Sequence, residues 1–288
     1  MLFLRPVLTS GAVSGMTGDA MKVLLTGATG FIGSHVARRL VRDGHEVQPL
    51  PRPWRVPAGH FDACIHLAWY VEPGKYLDSP LNHECVAESL ALAQALIEHG
   101  CPRLIGAGTC FEVEAPVTLY AQSKLRLFAE LQKLPLSLAW MRFFYLYGPG
   151  EHPRRLVPHV ITSLLRGETV KLTPGGQVRD FLHVADVAAA VAAVTRSSLT
   201  GAVDIGSGVP VTAREVAETI GQIVGRPELL AFGAQPYAAN DPMCVVADSA
   251  RLRSTGWKPN FTLEAGLRQT VVWWETQLSQ GKPPTRPC

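Results

Sequence analysis

The sequence predicts an α/β protein built on a doubly wound parallel sheet. Short apolar runs alternate with amphipathic helical patterns over roughly the first 145 residues, which is typical of parallel strands joined by crossover helices. The first apolar run, residues 22–26, leads through a glycine-spaced turn directly into a helical pattern. Hydrophobic residues make up 47% of the 288 and charged residues 18%, which suits one large domain or two closely packed ones.

The glycine-spaced turn has the sequence T-G-A-T-G-F-I-G-S-H over residues 26–35. Gly27 permits a tight turn, Gly30 lets the backbone approach a pyrophosphate, and Gly33 lets the helix pack closely on its strand. The free N–H groups at the start of the helix would then receive the phosphate charge. An ordinary strand-to-helix turn can carry the same glycines, so the prediction of a dinucleotide site needs support from the rest of the chain.

The first half of the chain keeps the alternation beyond this turn. A helix over residues 34–42 is expected to turn Val36, Leu40 and Val41 inward. The further predicted strands are residues 45–50, 61–68, 103–107 and 137–144, and the further predicted helices are residues 82–99 and 120–134. Only about ten residues link the second strand to the third, so we expect one strand–helix unit that is usual in dinucleotide folds to be missing or reduced.

The second half is predicted to contain both helices and short strands. Thr212 is expected to cap one of its helices, and the Ala/Val-rich helix at residues 186–195 is apolar nearly all round, which predicts that it is buried. The predicted helices are residues 156–166, 186–195, 213–224, 248–253 and 263–277, and the predicted strands are residues 170–172 and 202–205. Residues 1–20 are expected to be a disordered extension, and the tail after Gln280 is expected to be loose.

Charge and cysteine content exclude several classes of function. The net charge is only +3 and no Lys/Arg run stands out, so neither nucleic acid nor a membrane surface is an expected partner. No apolar run reaches the ~20 residues that span a bilayer. The cysteines lack metal-binding or C-x-x-C spacing, which predicts neither a structural zinc nor a disulfide framework and favours a cytoplasmic location. They are Cys64, Cys85, Cys101, Cys110, Cys244 and Cys288.

The end of the second predicted strand bears on the choice of cofactor. An acid at this point would bond the adenosine ribose 2′-OH, but residues 50–55 read L-P-R-P-W-R and contain none. Arg52 and Arg55 are instead placed to meet a 2′-phosphate, which favours NADP(H) over NAD(H). The alternative is that both are solvated loop arginines.

Tyr120 and Lys124 are a candidate catalytic pair. Their i, i+4 spacing places them on one face of the predicted helix. An ammonium close to a phenol lowers the pKa of the phenol, and such a tyrosine can exchange a proton with a carbonyl or alcohol oxygen. The same spacing also occurs by chance in helices.

Five motifs occur in order along the chain: the glycine turn at residues 26–35, H-L-A at 66–68, Y-x-x-x-K at 120–124, Y-G-P-G at 147–150 and R-D-F-x-H-V-x-D at 179–186. With this combination, residues 21–277 resemble an extended short-chain dehydrogenase/reductase of the nucleotide-sugar epimerase/dehydratase/reductase group. The resemblance implies a Rossmann-type dinucleotide-binding domain over residues 21–150, to which segments near 180–205 return. It also implies a smaller mixed α/β substrate-binding domain, mainly over residues 151–288, and a homodimer that acts on a nucleoside-diphosphate sugar.

The resemblance also implies roles for individual residues. Tyr120 would be the acid/base, Lys124 would bond the nicotinamide ribose and depress the pKa of Tyr120, and Thr109 would hydrogen-bond the reacting oxygen. The cofactor-binding residues would be Gly27, Thr29, Gly30, Phe31, Ile32, Gly33, Arg52, Arg55, Leu67, Ala68, Trp69, Tyr120, Lys124 and Phe143. The substrate-binding residues would be Thr109, Cys110, Phe111, Tyr145 and Arg179, of which Arg179 would grip the diphosphate.

Departures from the family pattern narrow the expected chemistry. The sugar 4,6-dehydratases follow the catalytic Thr with Asp and Glu, whereas Thr109 is followed by Cys110 and Phe111. The stretch from Thr109 to Tyr120 is short, and Tyr145 stands where these enzymes commonly carry Asn. With these features, and with no acid at the end of the second predicted strand, the sequence resembles the 4-ketoreductases of deoxysugar biosynthesis. Those enzymes reduce a nucleoside-diphosphate 4-keto-6-deoxy sugar.

Three alternatives remain open from the sequence. The first is a nucleotide-sugar 4-epimerase that keeps a bound NAD, and the second is a reductase of a non-sugar carbonyl compound. The third is a non-catalytic dinucleotide-binding regulator, against which the intact Thr109, Tyr120 and Lys124 argue.

Overall fold

The computed structural model describes residues 20–113, 117–238 and 241–281. The expected disorder of residues 1–20 falls almost wholly outside these ranges, as does nearly all of the tail after Gln280. The strands are β1 (Lys22–Thr26), β2 (Glu46–Pro49), β3 (Ala63–His66), β4 (Arg103–Thr109), β5 (Ser137–Phe143), β6 (Tyr145–Tyr147), β7 (Val170–Lys171), β8 (Val178–Arg179), β9 (Phe181–His183), β10 (Gly201–Ile205), β11 (Val211–Thr212), β12 (Leu230–Ala231) and β13 (Cys244–Val245).

The helices follow the predicted pattern with small shifts at their ends. They are α1 (Phe31–Arg42), α2 (Leu81–Glu98), α3 (Leu119–Leu131), α4 (Leu156–Arg166), α5 (Val184–Arg196), α6 (Ala213–Val224), α7 (Ala250–Arg253) and α8 (Leu263–Ser279). The predicted cap of α6 is confirmed, because the Thr212 hydroxyl accepts from the Glu215 N–H at 3.1 Å. Helix α5 begins earlier than predicted because the ring of His183 caps it. In the described part of the chain, no helix combines the length and apolar character needed to span a membrane.

The predicted doubly wound parallel sheet is confirmed. Six strands lie in the spatial order β10-β5-β4-β3-β1-β2, and every pairing in this sheet is parallel. In sequence order, β1 is the first strand of the sheet, β2 is added on one side of it, and β3, β4, β5 and β10 are added on the other. All the strands therefore end at one edge of the sheet, where the loops carrying the motifs meet.

The expected loss of one strand–helix unit is also confirmed. The chain runs from β2 to β3 through residues 50–62 without helix or strand, and β3 pairs directly with β1. Strand β2 is consequently the last strand on its side of the sheet. Leu50, Val56 and Phe61 of this connection are buried against the α2 side of the core.

Helices cover both faces of the sheet. Val23 and Leu25 of β1 face α1 and α5, whereas Leu24 faces α2 and α3, as the period of two in a strand requires. The prediction that Val41 faces inward is wrong, because 61% of its surface is exposed. The buried stripe of α1 runs through Gly33, Val36 and Leu40 and leaves position 41 on the solvent side.

A second apolar cluster lies outside the central sheet. Helices α4, α6 and α8 pack around buried side chains that include Ile161, Ile220, Leu267 and Trp274. Three short sheets accompany them, in the orders β11-β8-β13, β12-β7 and β6-β9. The division into a dinucleotide-binding and a substrate-binding domain stays a prediction.

Asp180 of the R-D-F-x-H-V-x-D motif joins two of the short strands to loops elsewhere in the chain. The fully buried Asp180 carboxylate accepts hydrogen bonds from the N–H groups of Ser207, Gly208 and Ala247 at 2.7, 2.8 and 3.2 Å, and from the Ser207 hydroxyl at 2.6 Å. Asp180 lies between β8 and β9, so it joins them to the loops that follow β10 and β13. Its role is therefore structural.

We expect Asp180→Ala to lower the free energy of unfolding by at least about 3 kcal/mol, because each buried donor left without a partner costs about 1–3 kcal/mol. Urea unfolding measures this loss. Asp248→Ala is the control, since it removes an exposed carboxylate that accepts from the N–H of Ala250, and its cost should stay within about 1 kcal/mol. Equal losses in the two variants would contradict the structural role of Asp180.

Candidate functional site

The glycine turn forms a cradle that no larger residue fits. Gly27 has φ +68°, and a Cβ there would lie 2.9 Å from the backbone N of Ala68. A Cβ on Gly33 would overlap the carbonyl oxygen of Gly27. The N-cap of α1 is Gly30, which has no side chain to occupy the free N–H groups of the first turn. These residues therefore fit the pyrophosphate of a dinucleotide, as the sequence predicts.

A buried chain of hydrogen bonds fixes the wall beside this cradle. The Ala68 N–H donates to Thr26 Oγ1 at 3.2 Å, and Thr26 Oγ1 lies 2.7 Å from His66 Nδ1. His66 Nε2 lies 2.8 Å from Ser89 Oγ, which donates to the Cys85 carbonyl at 2.6 Å. In the one arrangement that gives every hydroxyl and N–H proton its own acceptor, the Thr26 hydroxyl donates to Nδ1 and the Nε2–H group donates to the Ser89 hydroxyl oxygen. This chain of hydrogen bonds requires a neutral His66 ring, and burial lowers the pKa of His66 to about 3.

The Y-G-P-G turn closes the other side of the cradle. His35 Nε2 lies 3.0 Å from the Pro149 carbonyl oxygen, to which it donates, and a Cβ on Gly150 would lie 4.0 Å from the Phe31 ring. The turn is therefore docked on the first two turns of α1.

The structure brings Thr109, Tyr120 and Lys124 together. Thr109 is the last residue of β4, and the Thr118 hydroxyl caps α3 so that Tyr120 and Lys124 share its buried face. The Thr109 side chain lies close enough to the Tyr120 phenol to lower the pKa of that phenol. Lys124 Nζ donates to the Ala107 carbonyl at 2.7 Å. The roles of these residues stay predictions, but their proximity supports them.

The expectation that Lys124 depresses the pKa of Tyr120 is wrong for this structure. Burial raises the pKa of Tyr120, and the neighbouring Thr109 side chain opposes that shift only in part. Lys124 Nζ lies 3.5 Å from the centre of the Trp69 ring but 5.8 Å from that of Tyr120. Tyr120 therefore keeps its proton at neutral pH.

Trp69 and Tyr76 cover the candidate catalytic cluster. The Tyr120 ring lies 4.9 Å from Tyr76 and 6.3 Å from Trp69, measured between ring centres. The Trp69 indole N–H donates to Asn82 Oδ1 at 2.8 Å, which anchors the ring to α2. The indole therefore lies directly over the Lys124 ammonium group.

Glu112 is a site residue that the sequence analysis missed. Its carboxylate accepts from the Thr109 N–H at 2.7 Å and from the Trp140 indole at 2.8 Å, and 9% of its surface is exposed. Burial raises the pKa of Glu112 and lowers that of Lys124, while the attraction between the two groups opposes both shifts. The T-x-x-E spacing of a capping box, formed here by Thr109 and Glu112, could have revealed it.

The predicted substrate-binding residues also lie close together. Cys110 is buried in a small apolar cluster against which Phe111 and Tyr145 pack. Arg179 is 4% exposed, and its guanidinium lies 5.1 Å from the centre of the Tyr145 ring. Arg179 Nη2 donates to Asp241 Oδ1 at 2.7 Å. A substrate phosphate would therefore have to replace the Asp241 carboxylate.

The remaining predicted cofactor residues differ in their surroundings. Arg52 Nη2 lies 3.0 Å from Glu88 Oε2, and both Arg52 and Arg55 are exposed. Thr29 is exposed, and Ile32 and Leu67 are half-buried beside the glycine turn. Phe143 is buried in the core at the end of β5, where it pairs with Thr109 across the sheet.

Comparison with known proteins decides the family. Residues 23–206 match the NAD dependent epimerase/dehydratase family. The chain belongs to this family. The resemblance drawn from the sequence motifs is thereby confirmed, and the protein is an enzyme of the extended short-chain dehydrogenase/reductase type.

Relatives of this epimerase/dehydratase family member act on nucleotide sugars. UDP-glucuronic acid decarboxylase 1 of Xenopus tropicalis is 24% identical over 90% of this chain and 73% of its own length. GDP-L-fucose synthase 1 of Arabidopsis thaliana is 27% identical over 91% of this chain and 95% of its own. The solved structure of TunA, described as an NAD dependent NDP-hexosamine 5,6-dehydratase of tunicamycin biosynthesis, superposes with a TM-score of 0.78. It is 25% identical and covers 89% of this chain and 98% of its own.

The buried neutral His66 predicts a loss of stability in acid. Its pKa is about 3 in the folded protein and about 6.5 in an unfolded chain, so the unfolded state binds the extra proton between these values. Stability therefore falls as pH drops through this window, by about 2 kcal/mol from His66 between pH 7 and pH 5. Urea unfolding at both pH values measures it.

His66→Gln should be less stable at pH 7 but should lose about 2 kcal/mol less than the unaltered protein between pH 7 and pH 5. Other histidines with lowered pKa values, such as His183, are present in both proteins and cancel in the difference. The exposed His60 is the control, and His60→Gln should keep the full pH dependence. An unchanged pH dependence in His66→Gln would contradict the neutral, hydrogen-bonded histidine.

Proposed function

We propose that this enzyme reduces a nucleoside-diphosphate 4-keto-6-deoxy sugar and uses NADP(H) in preference to NAD(H). The observation that carries the proposal is the proximity of Tyr120 to Thr109, the last residue of β4. The relatives' described activities include a decarboxylase, a synthase and a dehydratase. The choice among reactions therefore depends on this chain's own residues.

The cradle residues would hold the cofactor. The N–H groups at the start of α1 would receive its pyrophosphate, and Gly27 and Gly33 leave the space for it. Lys124 would bond the ribose of the nicotinamide half, and Arg52 would meet the 2′-phosphate. The bound cofactor supplies a hydride to a carbonyl carbon.

Tyr120 and Thr109 would act on the carbonyl oxygen. The Thr109 hydroxyl orients that oxygen, and the Tyr120 phenol gives it a proton as the carbonyl becomes an alcohol. A tyrosine whose pKa is raised by burial is protonated at neutral pH, which suits the acid of a reduction. Tyr120 thus holds the proton that a reduction requires before the hydride is transferred.

The position of Glu112 argues against a 4,6-dehydratase. Both oxygens of its carboxylate accept hydrogen bonds from the protein, one from the Thr109 backbone and one from Trp140. A carboxylate held in this way is turned into the core and does not take a proton from a sugar carbon. Cys110 and Phe111, which follow Thr109, offer no carboxylate in its place.

Titration calorimetry with NADPH and NADH, each with and without dTDP or GDP, tests the proposed ligands. We expect NADPH to bind more tightly than NADH, and a nucleoside diphosphate to strengthen its binding because Arg179 can exchange Asp241 for a phosphate. Tight copurifying NAD that does not exchange would indicate a 4-epimerase instead. If neither dTDP nor GDP changes the binding of the cofactor, the result would indicate a non-sugar carbonyl substrate.

Tyr120→Phe should lower kcat by ~10² or more, because it removes the proton donor and keeps the ring. Steady-state reduction of a 4-keto sugar nucleotide, followed by NADPH absorbance, measures the loss. Tyr70→Phe is the matched control, since the Tyr70 hydroxyl bonds Glu72 rather than Thr109. Activity of Tyr120→Phe within a few-fold of the unaltered enzyme would contradict the assignment.

A further inference from the structure

A cavity of about 230 Å³ lies beside the end of β2, and an arginine and a glutamate face each other in its wall. Its lining residues are Arg52, Pro53, Trp54, Glu88, Ala91 and Leu92. Arg52 Nη2 lies 3.0 Å from Glu88 Oε2, and its guanidinium lies 4.8 Å from the centre of the Trp54 ring. The cation is thus held by a carboxylate from α2 and a neighbouring aromatic face.

This cavity adjoins the glycine cradle. The Trp54 ring lies 4.6 Å from the ring of His66, which is hydrogen-bonded to Thr26 at the end of β1. Ser89, the residue after Glu88, is the next member of the same hydrogen-bonded chain. The Arg52–Glu88 pair therefore lies on the side of the cradle where the chain leaves β2, next to where an adenosine ribose would be held.

The two side chains favour different cofactors. A carboxylate beside the ribose accepts a hydrogen bond from a free 2′-hydroxyl and repels a 2′-phosphate, whereas a guanidinium binds that phosphate. The carboxylate usually comes from the end of the second strand, but the residues that follow β2 include no acid before Asp62. Glu88 brings a carboxylate to this place from helix α2 instead.

We propose that Glu88 moderates the preference of this enzyme for NADP(H) over NAD(H). It replaces the missing strand-end acid, holds Arg52 when the cofactor is NAD(H), and weakens the attraction of Arg52 for the 2′-phosphate of NADP(H). This inference rests on the proposed function in that it requires a nicotinamide cofactor in the cradle. The side chains of both residues are about half exposed, at 48% and 46%, so a phosphate can compete for Arg52 without breaking a buried pair.

Titration calorimetry of Glu88→Gln with NADPH and NADH tests the proposal by binding alone. We expect NADPH to bind about tenfold more tightly, because a negative charge close to the phosphate is removed, and NADH to bind no better than before. Glu84→Gln is the matched control, since it removes an exposed charge one turn earlier on α2. It should change both dissociation constants less than twofold.

Arg52→Ala supplies the complementary result. It should weaken NADPH binding at least about tenfold and NADH binding much less. Adding Glu88→Gln to it should improve NADPH binding less than Glu88→Gln does alone, because the competition for Arg52 is already absent. If Glu88→Gln changes both cofactors alike, or no more than Glu84→Gln does, the inference is overturned while the proposed function stands. If the unaltered protein binds neither cofactor, both the inference and the proposed function are contradicted.

Discussion

The close packing of α1 against β1 is the constraint on which the rest of the site depends. A Cβ on Gly33 would overlap the Gly27 carbonyl, so the helix reaches this position only with glycine at both points. Gly30, the N-cap in the same turn, leaves the first N–H groups of α1 free of side-chain caps. One glycine-spaced turn therefore allows both the close helix packing and the binding of a pyrophosphate.

The parallel sheet then assembles the remaining groups at one edge. Strands β1, β3 and β4 end at Thr26, His66 and Thr109, which are far apart in sequence and neighbours in the sheet. The hydrogen-bonded chain through His66 ties two of these ends to α2, and the third presents its hydroxyl to Tyr120. The cofactor cradle and the proton donor thus share one rigid support, as catalysis by precise positioning requires.

Local patterns predicted the fold well, and long-range pairings marked the limit of prediction. The bounds of α4 and α6, the parallel sheet and the missing strand–helix unit all follow from periodicity, caps and loop length. Pairs such as Arg52–Glu88 and Arg179–Asp241 join residues 36 and 62 positions apart, which no local spacing reveals. The pKa of Tyr120 was predicted in the wrong direction because burial, which only the folded chain defines, raises it.

In the proposed reaction, a hydride passes to a sugar carbonyl in this site while Tyr120 supplies the proton. The most direct measurement is NMR of the product formed from a nucleoside-diphosphate 4-keto-6-deoxy sugar and NADPH that carries deuterium at both C4 positions of the nicotinamide. We expect one deuterium at C4 of the sugar and one NADPH consumed per alcohol formed. A converted sugar that carries no deuterium, formed without consumption of NADPH, would contradict it.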